Sequence, residues 1–221
     1  MPKIVDHAQR RDEIARVACQ VVANYGFEQA TMARIARAAG YTTGMVAHYY
    51  ESKQEIILAA LRLMLLRIEQ RVTRERESGE ANLVEVLSEA LAIDAQRFTE
   101  SAFWMAFWGQ VSADRKLKRL NVWVHREYMR LFARCLAEYW QEWPSWPQAV
   151  RDQVLRSVVT FINGLTASAV TSPTDWPPAM QVEQLRLQLD LLHRWAKTKR
   201  TSRRGSANPA AARGPTAARR A

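Results

Sequence analysis

Between Lys3 and Trp143 the chain has no proline, and its glycines there (Gly26, Gly40, Gly44, Gly79 and Gly109) stand singly. Proline inside a helix removes a backbone hydrogen bond and clashes with the preceding turn, and glycine weakens a helix by about 1 kcal/mol relative to alanine. A span this long and this poor in both can be helical almost throughout. No segment sustains an alternation of apolar and polar residues, so no sheet is expected. The reading is an all-α fold of about nine helices.

Caps and breakers divide that span. Asp6-His-Ala-Gln9 forms a capping box, and a stripe of Ile14, Val17/Ala18, Val21/Val22 and Tyr25 runs down a first helix to Gly26. After two short helices, a fourth runs over about residues 53–76 and stops near Ser78-Gly79. A fifth is expected over about 82–98 and a sixth over about 102–112. The seventh, about 114–143, carries Leu117, Leu120, Val124, Tyr128, Leu131, Cys135 and Tyr139 at spacings of three and four. Pro144 and Pro147 break the chain before an eighth helix over about 148–171. Pro173, Pro177 and Pro178 break it again before a ninth over about 179–196.

The short pair is the most informative part. Thr31 is a good N-cap, Ala36 is small enough for two helices to approach, and Gly40 suits a positive φ at the turn. Thr42 or Thr43 caps the second helix. Ile35, Ala39, Val46 and Tyr50 supply an inner apolar face, and Ser52-Lys-Gln-Glu55 opens the next helix as a capping box. This is the pattern of a helix-turn-helix, which lays its second helix into the major groove of DNA.

Residues 7–58 closely resemble the N-terminal domain of TetR-family transcriptional regulators, through Thr31, Ile35-Ala36, Ala39-Gly40, Gly44, His48-Tyr49-Tyr50 and Lys53. The resemblance implies a homodimeric repressor with a three-helix DNA-binding head over 1–52 and a helical ligand-binding and dimerisation domain over 53–196. It places Thr42, Thr43, Gly44, Met45 and Tyr49 in the major groove, and Thr31, His48 and Lys53 at phosphates. Threonine suits base edges or a thymine methyl, glycine permits close approach, and hydroxyls and lysine suit phosphate oxygens. Two recognition helices related by a two-fold axis imply a pseudo-palindromic operator. Tyr41 in the turn and Ala47 depart from the family pattern.

Trp104-Met-Ala-Phe107-Trp108, Leu117-Lys-Arg-Leu120 and Asn163-Gly-Leu165 look like the branch that includes the choline-responsive repressor of betaine synthesis (BetI-like). That branch usually carries Asp where this chain has Asn163. All eight tryptophans lie between positions 104 and 195, outside the head. Tryptophan faces attract cations, so Trp104, Phe107, Trp108, Trp123 and Tyr128 are the candidate ligand residues, for a choline-like cation or a flat apolar molecule. Aromatic residues at helical spacing also serve as plain core.

The ninth helix has two apolar stripes, Val182/Leu185/Leu189/Leu192 and Leu187/Leu191/Trp195, and the eighth carries the small residues Gly164, Ala167, Ser168 and Ala169. One stripe is enough to pack a helix on its own domain. The second predicts a homodimer interface through residues 148–171 and 179–196, with a thick monomeric core as the alternative.

The net charge of +10 is mostly a property of the end of the chain: residues 196–221 hold eight basic residues and no acid, leaving 24 basic against 22 acidic before them. Such a segment, with no large apolar residue from Lys197 on, is expected to be a disordered basic tail over 197–221. A near-neutral body argues against a non-specific basic scaffold. Phosphate-loop, HExxH and GxSxG motifs are absent, which argues against a helical enzyme. Asp190 and His193 have the spacing of a helix-bundle metal site but no second pair, so no metal or cofactor is expected. Cys19 and Cys135 form no metal or redox motif and read as reduced, buried thiols. No signal peptide or membrane span is expected, and the predicted location is cytoplasmic.

Overall fold

The structure is a computed structural model that describes residues 7–112 and 114–205, with side chains as far as Lys199. Among the described residues there are nine α-helices and no strand. They are α1 (His7–Gln29), α2 (Met32–Ala38), α3 (Thr43–Tyr49), α4 (Lys53–Glu77), α5 (Leu83–Ser88), α6 (Ala95–Val111), α7 (Arg115–Tyr139), α8 (Gln148–Thr171) and α9 (Pro178–Gly205). A single 3₁₀ turn, Trp143–Ser145, joins α7 to α8 where the prolines were expected to break the chain.

Four boundaries differ from the sequence reading. The first helix is not one of them: Gly26, with non-helical φ 81° and ψ 166°, breaks α1 into two helical pieces across a kink, where the sequence ends its first helix. Beyond the bend Phe27 packs on the core, while Tyr25 stays 58% exposed under the Arg34 guanidinium. The Asp6 cap lies outside the described residues. The expected fifth helix stops early at Ser88, because the chain tightens into Ala90–Leu87 and Leu91–Ser88 bonds. Gln181 of α9 then holds the turn by accepting from Ala92 N at 3.1 Å and donating to Ala92 O at 3.2 Å. Asp94 accepts from Arg97 N and starts α6 seven residues before the expected Ala102. The seventh helix ends at Tyr139, short of Trp143.

The fourth difference is at the C-terminus. The expected tail begins at Lys197, yet α9 runs on to Gly205. Lysine and arginine are good helix formers, and neither proline nor glycine interrupts the chain before Gly205. Lys197 also pairs with Glu142 at 3.0 Å. The remainder of the predicted tail lies outside the described residues.

Two apolar cores result. The first joins Ile14, Ala18 and Val22 of α1, Ile35 and Val46 of the short pair, Ile57, Leu61 and Met64 of α4, and Phe103 and Phe107 of α6. The second joins Ile68 and Val72 of α4, Val86 and Leu87 of α5, Phe132 and Leu136 of α7, and the inner stripes of α8 and α9. Helix α4 passes through both. Cys19 and Cys135 are buried free thiols, one in each core, and burial raises them to about 12 and about 11.

Helix α8 is long and apolar enough to cross a membrane by composition, the one such helix among the described residues. Val154, Val158, Ile162 and Leu165 instead bury one side of it in the second core.

Candidate DNA interface and ligand cavity

Helix α2 starts at Thr31, whose hydroxyl accepts from Arg34 N at 3.2 Å, and ends at a turn where Gly40 takes φ 73°. Thr42, not Thr43, caps α3: its side chain accepts from Met45 N at 3.1 Å. That frees the Thr43 hydroxyl from capping. Ile35, Ala36, Val46 and Tyr50 are all but fully buried beneath the pair. Ser52 caps α4, and Glu55 reaches back to Glu51 N at 2.9 Å rather than to the cap residue itself, one position off the expected box.

Thr31, Thr42, Thr43, Gly44 and His48 are exposed, and Met45 is partly so. They form the outer face of α2 and α3. Tyr49 is different. It is only 8% exposed, with its ring 5.2 Å from that of His7 and 5.3 Å from that of His48, and its carbonyl accepts from Arg11. The ring packs α3 against α1, beneath the exposed face that Thr42, Thr43 and Gly44 form. Lys53 also makes contacts within the protein. Its ammonium donates to the Phe27 carbonyl and lies 4.4 Å from the Phe27 ring centre, with its pKa lowered by burial. It ties the start of α4 to the end of α1.

The departure at Tyr41 has a physical account. Its hydroxyl donates to Glu13 Oε2 at 2.6 Å and receives Arg10, while the Arg10 guanidinium sits 5.4 Å from the ring centre. The turn is thereby anchored to α1, and the bond from Tyr41 holds the Glu13 carboxylate below its ordinary pKa. Neither Arg10, Arg11 nor Glu13 stood out in the sequence, because each lies on the polar side of the first helix.

In the body a cavity of about 640 Å³, its mouth included, lies between α4, α6, α7 and α8. Trp104, Trp108 and Tyr128 line it as expected. The two tryptophan rings are 6.0 Å apart and tilted by 42°. Phe107 does not reach it, being fully buried in the first core. Trp123 does not line it either: its ring is 39% exposed on α7, with the Arg62 guanidinium 5.7 Å from its centre. Both lie on other faces of their helices, which a list of aromatic residues cannot separate.

The cavity wall contains groups that sequence reasoning missed: Arg71 from α4, Arg97, Glu100 and Ser101 from α6, and Asn121 and His125 from α7. Glu100, 5% exposed, accepts from Arg71 at 2.9 Å and from Gln96 at 3.0 Å. Arg71 also meets Glu89 at 3.3 Å, and Glu89 meets Arg97 at 3.0 Å. Burial raises the Glu89 pKa against the pull of both arginines. A signal did exist. Positions 97, 100, 101, 104 and 108 share one helical face with Trp104 and Trp108, so charge on an aromatic stripe marked the site.

Comparison with known proteins agrees with both halves. Residues 14–60 match the model of bacterial regulatory proteins of the tetR family, and residues 79–194 match the BetI-type transcriptional repressor C-terminal domain. A relative from Chromohalobacter salexigens, HTH-type transcriptional regulator BetI 1, is 28% identical over 182 residues, covering 78% of this chain and 85% of its own length. A solved transcriptional regulator from Rhodococcus superposes with a TM-score of 0.72 at 20% identity, over 84% of this chain and 97% of its own. A putative regulator from Saccharomonospora viridis, solved in complex with choline, gives 0.70 at 18% identity, over 83% and 96%.

Proposed function

The chain belongs to the TetR family of bacterial transcriptional regulators, with a BetI-type C-terminal domain, and from that footing we propose that two copies pair, read a pseudo-palindromic operator and release it when a small effector fills the body cavity. The carrying observation is the continuity between the reading helices and the cavity. Phe103 and Phe107 of α6 are fully buried in the same core as Ile35 and Val46, while Trp104 and Trp108 of that helix line the cavity. A shift of α6 is felt at both places. An effector moves the balance only by its difference in affinity for the two states, commonly about 1–3 kcal/mol of coupling.

On the DNA side, Thr42, Thr43, Gly44 and Met45 face the groove, with Thr31 and His48 at its edge. Pairing through α8 and α9 is supported by what these helices leave uncovered. Met180, Leu187 and Leu191 are 43%, 47% and 50% exposed along α9. Beside them runs a groove bounded by Thr160, Phe161, Gly164 and Ser168 of α8. Apolar side chains next to small ones allow close helix approach.

The experiment measures affinity for the chain's own upstream DNA against random duplex at moderate salt. A clear preference that drops about tenfold in Thr43→Ala or His48→Ala is expected. Equal affinity for both duplexes overturns the reading. Leu187→Glu is expected to give a monomer by sedimentation, with operator affinity lost alongside.

A further inference from the structure

The cavity divides its polar groups into two sets. Its charged side chains are spent within the protein. Glu100 binds Arg71 at 2.9 Å, with Arg67 at 3.6 Å; Arg97 is held by Glu89 at 3.0 Å and by Asp94 at 2.9 Å. Three guanidiniums face three carboxylates, so the cluster is neutral as a whole. The uncharged side chains are unspent. Ser101, Asn121, Tyr128 and Asn163 line the cavity together with His125, and none of these five side chains has a hydrogen-bond partner among the described residues.

Unpaired polar groups in a wall favour a ligand that supplies their partners. A quaternary ammonium ion would shed its water and find no free carboxylate, with three guanidiniums close by. An anion would find no free guanidinium. Breaking the cluster to serve either ion would leave a buried charge unmatched, which is strongly unfavourable. A neutral molecule meets none of these costs. Resting on the repressor reading above, we propose that the effector is an uncharged, flat molecule bearing hydrogen-bond donors and acceptors. Its ring lies against Trp104 and Trp108, and its polar groups face Asn121, Tyr128 and Asn163.

Three probes with one ring system separate charge from shape: 2-naphthamide, 2-naphthoate and 2-naphthyltrimethylammonium. Binding to the full chain is followed by tryptophan fluorescence at neutral pH. The amide is expected to bind at least roughly tenfold more tightly than either ion. Asn163→Asp places an unmatched carboxylate in the wall, and is expected to tighten the ammonium probe about tenfold while weakening the amide. Asn163→Ala is expected to weaken the amide about fivefold, the effect of one hydrogen bond, with no gain for the ammonium probe. The proposal is overturned if the unaltered chain binds the ammonium probe or the carboxylate as tightly as the amide. It is also overturned if the amide fails to bind at its solubility limit. Operator binding is measured on the same preparations without probe. Its absence overturns the repressor reading, whereas a wrong order of probes with operator binding intact overturns only this assignment.

Discussion

The core around α1 and the core around α8 are alike in burial, each built on fully buried side chains such as Phe107 in one and Phe132 in the other. They differ in what they join. The first holds the helix-turn-helix on α4 and on the cavity helix α6, whereas the second joins α5, α7, α8 and α9 and takes in no part of the reading helices. The motif therefore has no private core. A boundary at residue 53 follows the sequence motif, but the packing of α1 to α3 depends on residues fifty positions further along, at Phe103 and Phe107.

The largest test of that difference compares Phe107→Ala with Phe132→Ala. Each is expected to cost about 3–5 kcal/mol of stability, as large core truncations do. Their reach differs: Phe107→Ala is expected to speed amide hydrogen exchange in α1 and α3, and Phe132→Ala to leave those helices protected. Equal exchange in both would show one cooperative core rather than two.

Next in size is Lys53→Ala. A lysine that closes α1 on α4 is expected to cost about 1–2 kcal/mol, read as a lower melting temperature. The salt slope of DNA binding is expected to stay unchanged, whereas loss of a phosphate contact would reduce it by about 1. Thr42→Ala removes the α3 cap and is expected to cost about 1 kcal/mol, while Thr43→Ala leaves stability intact and acts on DNA alone. The pair separates capping from reading within one dipeptide.

The smallest effect belongs to the surface beside the second core. Glu142 accepts from Lys197 at 3.0 Å and faces His193 at 3.5 Å, and Lys197 above all holds its carboxylate at about 2. A pKa lowered on folding contributes stability above the ordinary carboxylate range and loses it as pH falls through the folded value. Acidification from about pH 4.5 to about 2 is expected to lower the melting temperature more steeply in the unaltered chain than in Glu142→Gln, with little change at the reading helices.

The head was legible almost residue by residue because its determinants are local. Caps, a turn glycine and helical spacing lie within twenty-odd positions, and each acts on its neighbours. The packing of Tyr49 and Lys53 was not legible for the opposite reason: their partners His7 and Phe27 sit on another helix, and no spacing within the motif reveals them. In the body, helix number and apolar stripes were readable, but the split after Ser88 depends on Gln181, distant in the chain. The cavity was half read. Aromatic content pointed to α6, while the ion cluster assembles from α4, α6 and the turn between α5 and α6 only in three dimensions.

That ion cluster also bears on how such a binding site can change over generations. Arg71, Glu89, Arg97 and Glu100 satisfy one another, so replacing one strands its partner, and viable changes there have to come jointly. Ser101, Asn121 and Asn163 carry no such obligation. Substitutions at these positions arise singly, alter what the wall offers, and leave the scaffold standing. Ligand range is then free to drift through the neutral side chains while the charged ones stay fixed.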